Sequence, residues 1–141
     1  MWYTARMKAN TKQVIVIRKD LKMRKGKAVA QGAHASMKAI LEQGYFEFDD
    51  ADDGLSTFIL PMQPDIEEWL GYLFTKICVS VDSEKELLDI YNQAKDAGLV
   101  CSIIKDAGLT EFDGVATFTA CAVGPGKNEE IDKITGNLKL L

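Results

Sequence analysis

Gln13-Val14-Ile15-Val16-Ile17, then Arg18-Lys19-Asp20-Leu21-Lys22-Met23-Arg24-Lys25-Gly26, then Lys27 to Gln43, is the stretch on which the fold turns. The β-branched run 13–17 suits a strand buried on both faces. Arg18 to Gly26 is a polar, lysine-rich loop that ends in glycine. From Lys27 to Gln43 the spacing predicts a helix. At about 100° per residue, Ala30, Ala33, Met37, Ile40 and Leu41 fall on one arc, the expected buried face. Gly44 is a plausible helix stop. Strand, loop and helix in this order open an open α/β sheet. Ligands of such sheets sit beyond the carboxyl ends of strands, near helix N-termini.

Working outward, Tyr45–Gly54 is strongly acidic and reads as a loop. Ser56–Leu60 is either a short extra strand or an irregular packed segment. Pro64 suits the first turn of a helix, and Ile66, Trp69, Leu70 and Leu73 then recur at helical spacing. Lys76–Val81 reads as a second buried strand. Ser83-Glu84-Lys85-Glu86 is a capping-box pattern. The helix it opens carries Leu87, Leu88, Ile90, Tyr91 and Ala94 and stops at Gly98. Val100–Ile104 is a third strand. Val115–Val123 is a fourth, with Thr117, Thr119 and Cys121 expected on one face. Lys127–Thr135 is a short last helix closed by Gly136.

Strands alternating with helices predict an α/β fold: a single-domain three-layer sandwich whose mixed, mostly parallel four-stranded sheet is flanked by helices. About ten residues separate the third and fourth strands, too few for a parallel crossover, so the fourth strand is expected to run antiparallel. Residues 1–141 show no linker, low-complexity tract or domain boundary, only an acidic variable segment at 45–72. Lys-Asp-Ala-Gly-Leu occurs at 95–99, ending a helix, and again at 105–109, following a strand.

With 141 residues, 47% of them hydrophobic and 27% charged, the chain can bury a core without staples and does not have the composition of a disordered one. No apolar run reaches the roughly 18–20 residues that span a bilayer, so no membrane partner is expected. Met1–Asn10 has basic residues but no apolar centre, and the expectation is that it is not a signal peptide. Three scattered cysteines make neither a disulfide framework nor a Cys-x-x-Cys zinc pair, which points to a reducing, cytoplasmic setting.

Net charge is −4, which taken alone speaks against a polyanionic partner. The average hides a division: +8 over residues 1–44, −12 over 45–113 and 0 over 114–141. Either the folded surface is polarised or these charges scatter over it.

The loop Arg18–Gly26 with Lys27 holds six cations in ten residues, at the position where such folds bind anions. Neither Gly-x-Gly-x-x-Gly nor a Walker A pattern is present, so no nucleotide cofactor is expected. Gly124-Pro125-Gly126-Lys127 echoes a phosphate loop faintly and reads better as a turn. Lys27, Gln31, His34 and Lys38 form a polar stripe about 60° wide, beside the apolar arc. Such a stripe either lines a cleft or is a solvated edge. A lone histidine is more often structural than a base, and without a second one no zinc site is expected.

There is no Gly-x-Ser-x-Gly elbow. Cys78, Cys101 and Cys121 lie in apolar runs and read as small buried hydrophobes. Asp49–Asp53 read as solvated loop acids rather than metal ligands. Asp106-Ala107-Gly108-Leu109-Thr110-Glu111 places an acid and a hydroxyl just beyond the third strand, on the expected functional rim.

Together these pieces resemble the type 2 peptidyl-tRNA hydrolases over most of the chain. The likeness runs from Val14 through Arg18, Asp20–Met23, Lys25–Lys27, Ala30-Gln31 and His34-Ala35. It resumes at Val81–Glu84, Ala97–Leu99, Asp106–Gly108, Thr110-Glu111, Thr117, Gly124-Pro125 and the ending Asp132–Leu141. The resemblance implies small, commonly dimeric α/β proteins with a mixed sheet and no organic cofactor. It implies hydrolysis of the ester joining a peptide to the ribose of a tRNA, which frees tRNA from peptidyl-tRNA that has left the ribosome. The positions matching that family's active site are Lys27, Asp106, Thr110 and Thr117, with Gln31 and His34 at neighbouring positions. The chain departs from the family pattern in the longer, acidic segment Tyr45–Tyr72 and in a turn before Thr117 that is about one residue shorter.

The expected chemistry follows. Lys27 at a helix N-terminus would stabilise the oxyanion formed as water attacks the ester. Asp106 would orient Lys27 and position or activate the water. Thr110 and Thr117 would hold the water or the ester oxygens. Lys19, Lys22, Arg24 and Lys25 would grip tRNA phosphates without reading bases, with Gln31 and His34 also on the substrate side. The rival reading is a non-catalytic tRNA- or protein-binding adaptor on the same scaffold.

Overall fold

The computed structural model describes residues 10–48 and 53–141. Met1–Ala9 and Asp49–Asp52 lie outside them, and with them the readings made for most of the N-terminal stretch and for three of the loop acids. Asp53 is described, and its carboxylate caps a turn by accepting from the Leu55 N–H.

In chain order the elements are β1 (Thr11–Arg18), α1 (Lys25–Leu41), β2 (Tyr45–Phe48), β3 (Ser56–Ile59), α2 (Pro64–Gly71), β4 (Lys76–Val81), α3 (Glu84–Asp96), β5 (Cys101–Asp106), β6 (Thr117–Lys127), α4 (Asn128–Thr135) and β7 (Lys139–Leu140). A short 3-10 turn, Phe112–Gly114, lies between β5 and β6.

The main sheet has the order β5-β6-β1-β4-β7. β1 pairs parallel with β4 and antiparallel with β6, and β6 pairs antiparallel with β5. Thus β1, β4 and β5 share one direction, and β6 runs against them, as the short β5–β6 connection requires. The sheet has five strands where four were expected. The fifth, β7, is a two-residue strip antiparallel to β4, too short to show as a period-2 pattern.

One face of the sheet packs on α3 and α4 through Val14, Val16, Val79, Val81, Leu87, Ile90, Cys121, Val123, Ile131 and Ile134. The other packs on α1 through Ile15, Ile17, Ala35, Ala39, Ile104, Ala120 and Ala122. β1 is buried on both faces, as its β-branched run predicts. The capping box forms: Ser83 Oγ accepts from the Glu86 N–H, and the Glu86 carboxylate reaches back to the Asp82 N–H. Gly98 takes φ +73° just beyond the end of α3.

Several sequence readings change. α1 spans Lys25–Leu41 and buries Gln31, Gly32, Ala35 and Ala39, not the arc of Ala30, Ala33, Met37, Ile40 and Leu41. At Gly32, Ala35 and Ala39 the helix lies close to the sheet, and small residues fill the contact. A Cβ on Gly32 would already stand 3.4 Å from Ile15 Cγ2. Met37, Ile40 and Leu41 turn instead to an apolar groove shared with Phe58, Leu60 and Phe74.

Tyr45–Gly54 is not all loop, because Tyr45–Phe48 pairs with Ser56–Ile59 as a separate two-stranded sheet. Of the stretch Ser56–Leu60, Ser56–Ile59 is thus an extra strand and Leu60 lies just beyond it. β4 is buried on the α3 side only, since α1 covers β1, β5 and β6 rather than β4. Cys78 is exposed for that reason, whereas Cys121 is buried. Gly124-Pro125-Gly126 is not a turn but part of β6, where Gly126 pairs with Lys12.

A β-bulge breaks the expected face of β6. The β5–β6 register steps from Ile104↔Ala120 to Lys105↔Phe118, leaving Thr119 between. Cys121 therefore faces α3 and α4, while Thr119 turns to α1.

Candidate active site

The carboxyl end of β5 delivers Asp106, and the first turn of α1 delivers Lys27. Their charged groups meet at 3.0 Å, with both side chains largely shielded. Lys27 is placed against local electrostatics. The first turn of α1 contains no acid, yet it holds Lys25 and Lys27 at the positive end of the helix dipole. The missing anion is supplied by β5. Such conflicts between local rule and tertiary placement are expected at functional or strained positions.

Lys27 Nζ also donates to Thr110 Oγ1 at 2.8 Å. An ammonium has three N–H donors, so one remains for a further acceptor. The Phe112 ring stands 5.6 Å from Nζ and closes one side.

Asp106 is held by three donors. Oδ1 accepts from Lys27 Nζ and, at 3.2 Å, from Gln31 Nε2, and Oδ2 accepts from the Gly108 N–H at 2.9 Å. Its carboxyl is held below the usual carboxylate value, first by the Lys27 hydrogen bond and next by that of Gly108, against an opposing push from partial burial.

The loop that follows is folded on itself. Gly108 has φ +81°, and a Cβ there would overlap the backbone of Val115. The Gly114 N–H donates to Gly108 O, and Phe112, Asp113 and Gly114 all take left-handed φ values. Such strain persists where its surroundings determine it and gathers at functional sites. Here it brings Thr110 and Phe112 over Lys27. The second Lys-Asp-Ala-Gly-Leu copy is thereby explained: its glycine supplies a left-handed backbone and a donor for Asp106.

The family model described as peptidyl-tRNA hydrolase PTH2 matches residues 11–141, every element named above. The chain belongs to this peptidyl-tRNA hydrolase family. A protein of that name from Methanocaldococcus jannaschii is 49% identical over 130 residues, covering 92% of this chain and 99% of its own length. The namesake from Methanothermobacter thermautotrophicus is 42% identical over 130 residues, with the same coverage. A solved structure of a protein of unknown function from Agrobacterium tumefaciens matches 94% of this chain and 98% of its own at a TM-score of 0.55. At 16% identity that likeness bears on the fold alone.

In this peptidyl-tRNA hydrolase family member, Lys27, Asp106, Thr110 and Gln31 converge in one hydrogen-bonded group. Thr117 stands beside it as the cross-strand neighbour of Asp106, but its hydroxyl donates to Val115 O at 2.8 Å and so ties down the loop. His34 lies further along α1, exposed in a shallow depression with Met37 and Ile104.

Lys19, Lys22, Arg24 and Lys25 are exposed in and just after the β1–α1 loop, on the rim that carries Lys27. The side chain of Arg24 is 92% exposed, 4.0 Å from Glu111. Arg18 is different: it pairs with Asp20 at 2.6 Å and donates to Phe118 O, which anchors the loop to the sheet. The stripe on α1 proves to be a seam with β5, since Lys27 and Gln31 reach Asp106 and Lys38 donates to Ile103 O.

Sequence reasoning missed two residues of this group. Phe112 sits in a turn with no motif to betray it. Thr119 donates to Gln31 Oε1 at 2.5 Å only because the bulge rotates it toward α1.

Proposed function

We propose that the chain is a single-domain peptidyl-tRNA hydrolase, with Lys27, Asp106 and Thr110 at its catalytic centre. It cleaves the ester between a peptide and the ribose of tRNA and frees the tRNA for reuse. The observation that carries this reading is the Lys27–Asp106–Thr110 contact set, beside a rim of four exposed cations, in a chain of this family. A cytoplasmic setting and a homodimeric assembly belong to the same proposal.

Water adds to the ester carbonyl carbon and the carbonyl oxygen takes up negative charge. The remaining Lys27 N–H donates to that oxygen, so the charge forms beside a fixed cation, in a site that needs little reorganisation. The C–O bond to ribose then breaks. The ribose oxygen takes one proton of the attacking water, and the peptide leaves as a carboxylate with its proton passing to solvent. Asp106 is a weak base, because three donors already hold its ionised form, so its part is to fix Lys27. The Thr110 hydroxyl accepts from Lys27 and keeps its own proton to offer to the water or the ester oxygens. Lys19, Lys22, Arg24 and Lys25 hold phosphates, a contact without base information that allows many tRNAs as substrate.

The test is release of an N-acetylated aminoacyl group from tRNA by the purified protein. Turnover by the wild type, abolished in Lys27→Ala and Asp106→Asn with the fold intact, is the expected result. No release above those variants would overturn the reading and return the chain to an adaptor role.

A further inference from the structure

We propose that Thr119, acting through Gln31, is a positioning residue that fixes the Asp106 carboxylate and thereby the Lys27 ammonium. The inference rests on the catalytic reading of Lys27 and Asp106 given above.

The hydrogen-bond chemistry allows only one arrangement. An ionised carboxylate accepts and cannot donate, so the end of the Gln31 amide that faces Asp106 Oδ1 is its NH2 group. The carbonyl of the amide then points inward. Gln31 is only 2% exposed, so bulk water does not reach that oxygen and a buried donor has to serve it. Thr119 supplies it: its side chain is fully buried, and Oγ1 stands 2.5 Å from Gln31 Oε1. Since an amide oxygen can only accept, the hydroxyl donates. Thr119, Gln31, Asp106 and Lys27 thus form a chain in which each orientation is dictated by the one before.

The bulge makes the chain possible. A regular strand would send Thr119 to the face opposite Ala120, toward α3. The register step beside Lys105 turns Thr119 to the α1 face while leaving Thr117 opposite Asp106. Without the hydroxyl, the Gln31 carbonyl would be buried unsatisfied, or the amide would turn over and set its oxygen against the Asp106 carboxylate.

Thr119→Val keeps the shape and removes the donor, whereas Thr119→Ser keeps the donor and removes the methyl group. Two readouts separate the positioning claim from the catalytic one. The first, carboxyl-carbon NMR titration of Asp106, needs no substrate. The expected result is a titration shifted to higher pH in Thr119→Val and near wild type in Thr119→Ser. The second is turnover of N-acetylaminoacyl-tRNA. In Thr119→Val, kcat is expected to fall about tenfold with KM nearly unchanged, and in Thr119→Ser most of it returns.

Wild-type titration and kcat in Thr119→Val would overturn the proposal, as would equal losses in both variants or a loss confined to KM. If Thr119→Val does not fold, Thr119→Ala, which also removes the donor, takes its place under the same criteria. A wild type that releases nothing would sink the catalytic reading while the titration still decides the orientation chain.

Discussion

Asp106 holds three donors on two oxygens, and this load defines what it can do. Its folded-state pKa lies below the ordinary 3.8, with the Lys27 hydrogen bond as the largest cause. A depressed value means that the ionised form stabilises the fold at pH above the unfolded value. That contribution is lost as pH falls through the lower, folded value. Lys27→Met keeps most of the apolar stem but removes both donor and charge. Asp106 should then titrate closer to 3.8, and the share of acid lability that it causes should shrink. NMR titration of the carboxyl carbon reads the first effect, and unfolding midpoints measured from pH 5 to pH 2 read the second. An unmoved Asp106 titration in this variant would mean that Gly108 and Gln31 hold the carboxylate without Lys27.

At the level of elements, the site depends on how closely α1 lies on the sheet. Ala35 is fully buried one turn beyond Gln31, and its carbonyl accepts from Ser102 Oγ at 2.6 Å. Ala35→Leu should push α1 away from β5 at a cost of about 1–3 kcal/mol and move Lys27 and Gln31 off Asp106, with turnover falling more than tenfold. Ser83→Ala removes the α3 cap at a cost of about 1 kcal/mol, far from this seam, and should leave turnover intact. Thermal unfolding beside the discharge assay distinguishes them, and an Ala35→Leu variant with wild-type turnover would show that the seam tolerates displacement.

The same comparison shows what a linear sequence displays. β1, α3 with its cap, and the antiparallel β6 were legible because each follows from composition and spacing within a few residues. The buried face of α1 was not, because hydrophobicity favours Met37 and Leu41 while close approach to Ile15 and Ile17 favours Gly32 and Ala35. β2 was hidden by the acids that follow it. Spacing put Lys27, Asp106 and Thr110 on the expected rim but only the resemblance gave them roles, and Thr119 depends on a bulge that only strand pairing creates.

Over the whole molecule, the uneven charge of the chain acquires a geometry. α1 runs back from the carboxyl end of β1, so its 17 residues separate the cationic loop from the β2–β3 hairpin by about 25 Å. Lys19, Lys22, Arg24 and Lys25 lie at the end that holds Lys27, and Glu47 and Asp53 lie at the other. The separation is incomplete. The Lys19 N–H bonds Val81 O at 2.8 Å, which brings Asp82 and the first turn of α3, with Glu84 and Glu86, to the same rim. A polyanion should therefore be drawn to the β1–α1 side of that rim and repelled from the α3 side. Each phosphate held there releases counterions, so KM for peptidyl-tRNA should rise steeply with salt. Replacing Lys19 and Lys22 together by Ala should lower the slope of log KM against log salt by about 1–2 while leaving kcat within about twofold. Glu47→Gln with Asp53→Asn, at the far end, should leave the slope unchanged. Initial-rate measurements from 50 to 300 mM salt (roughly the range over which such contacts weaken) decide the matter. A Lys19/Lys22 variant with the wild-type slope would place the phosphate grip on another surface.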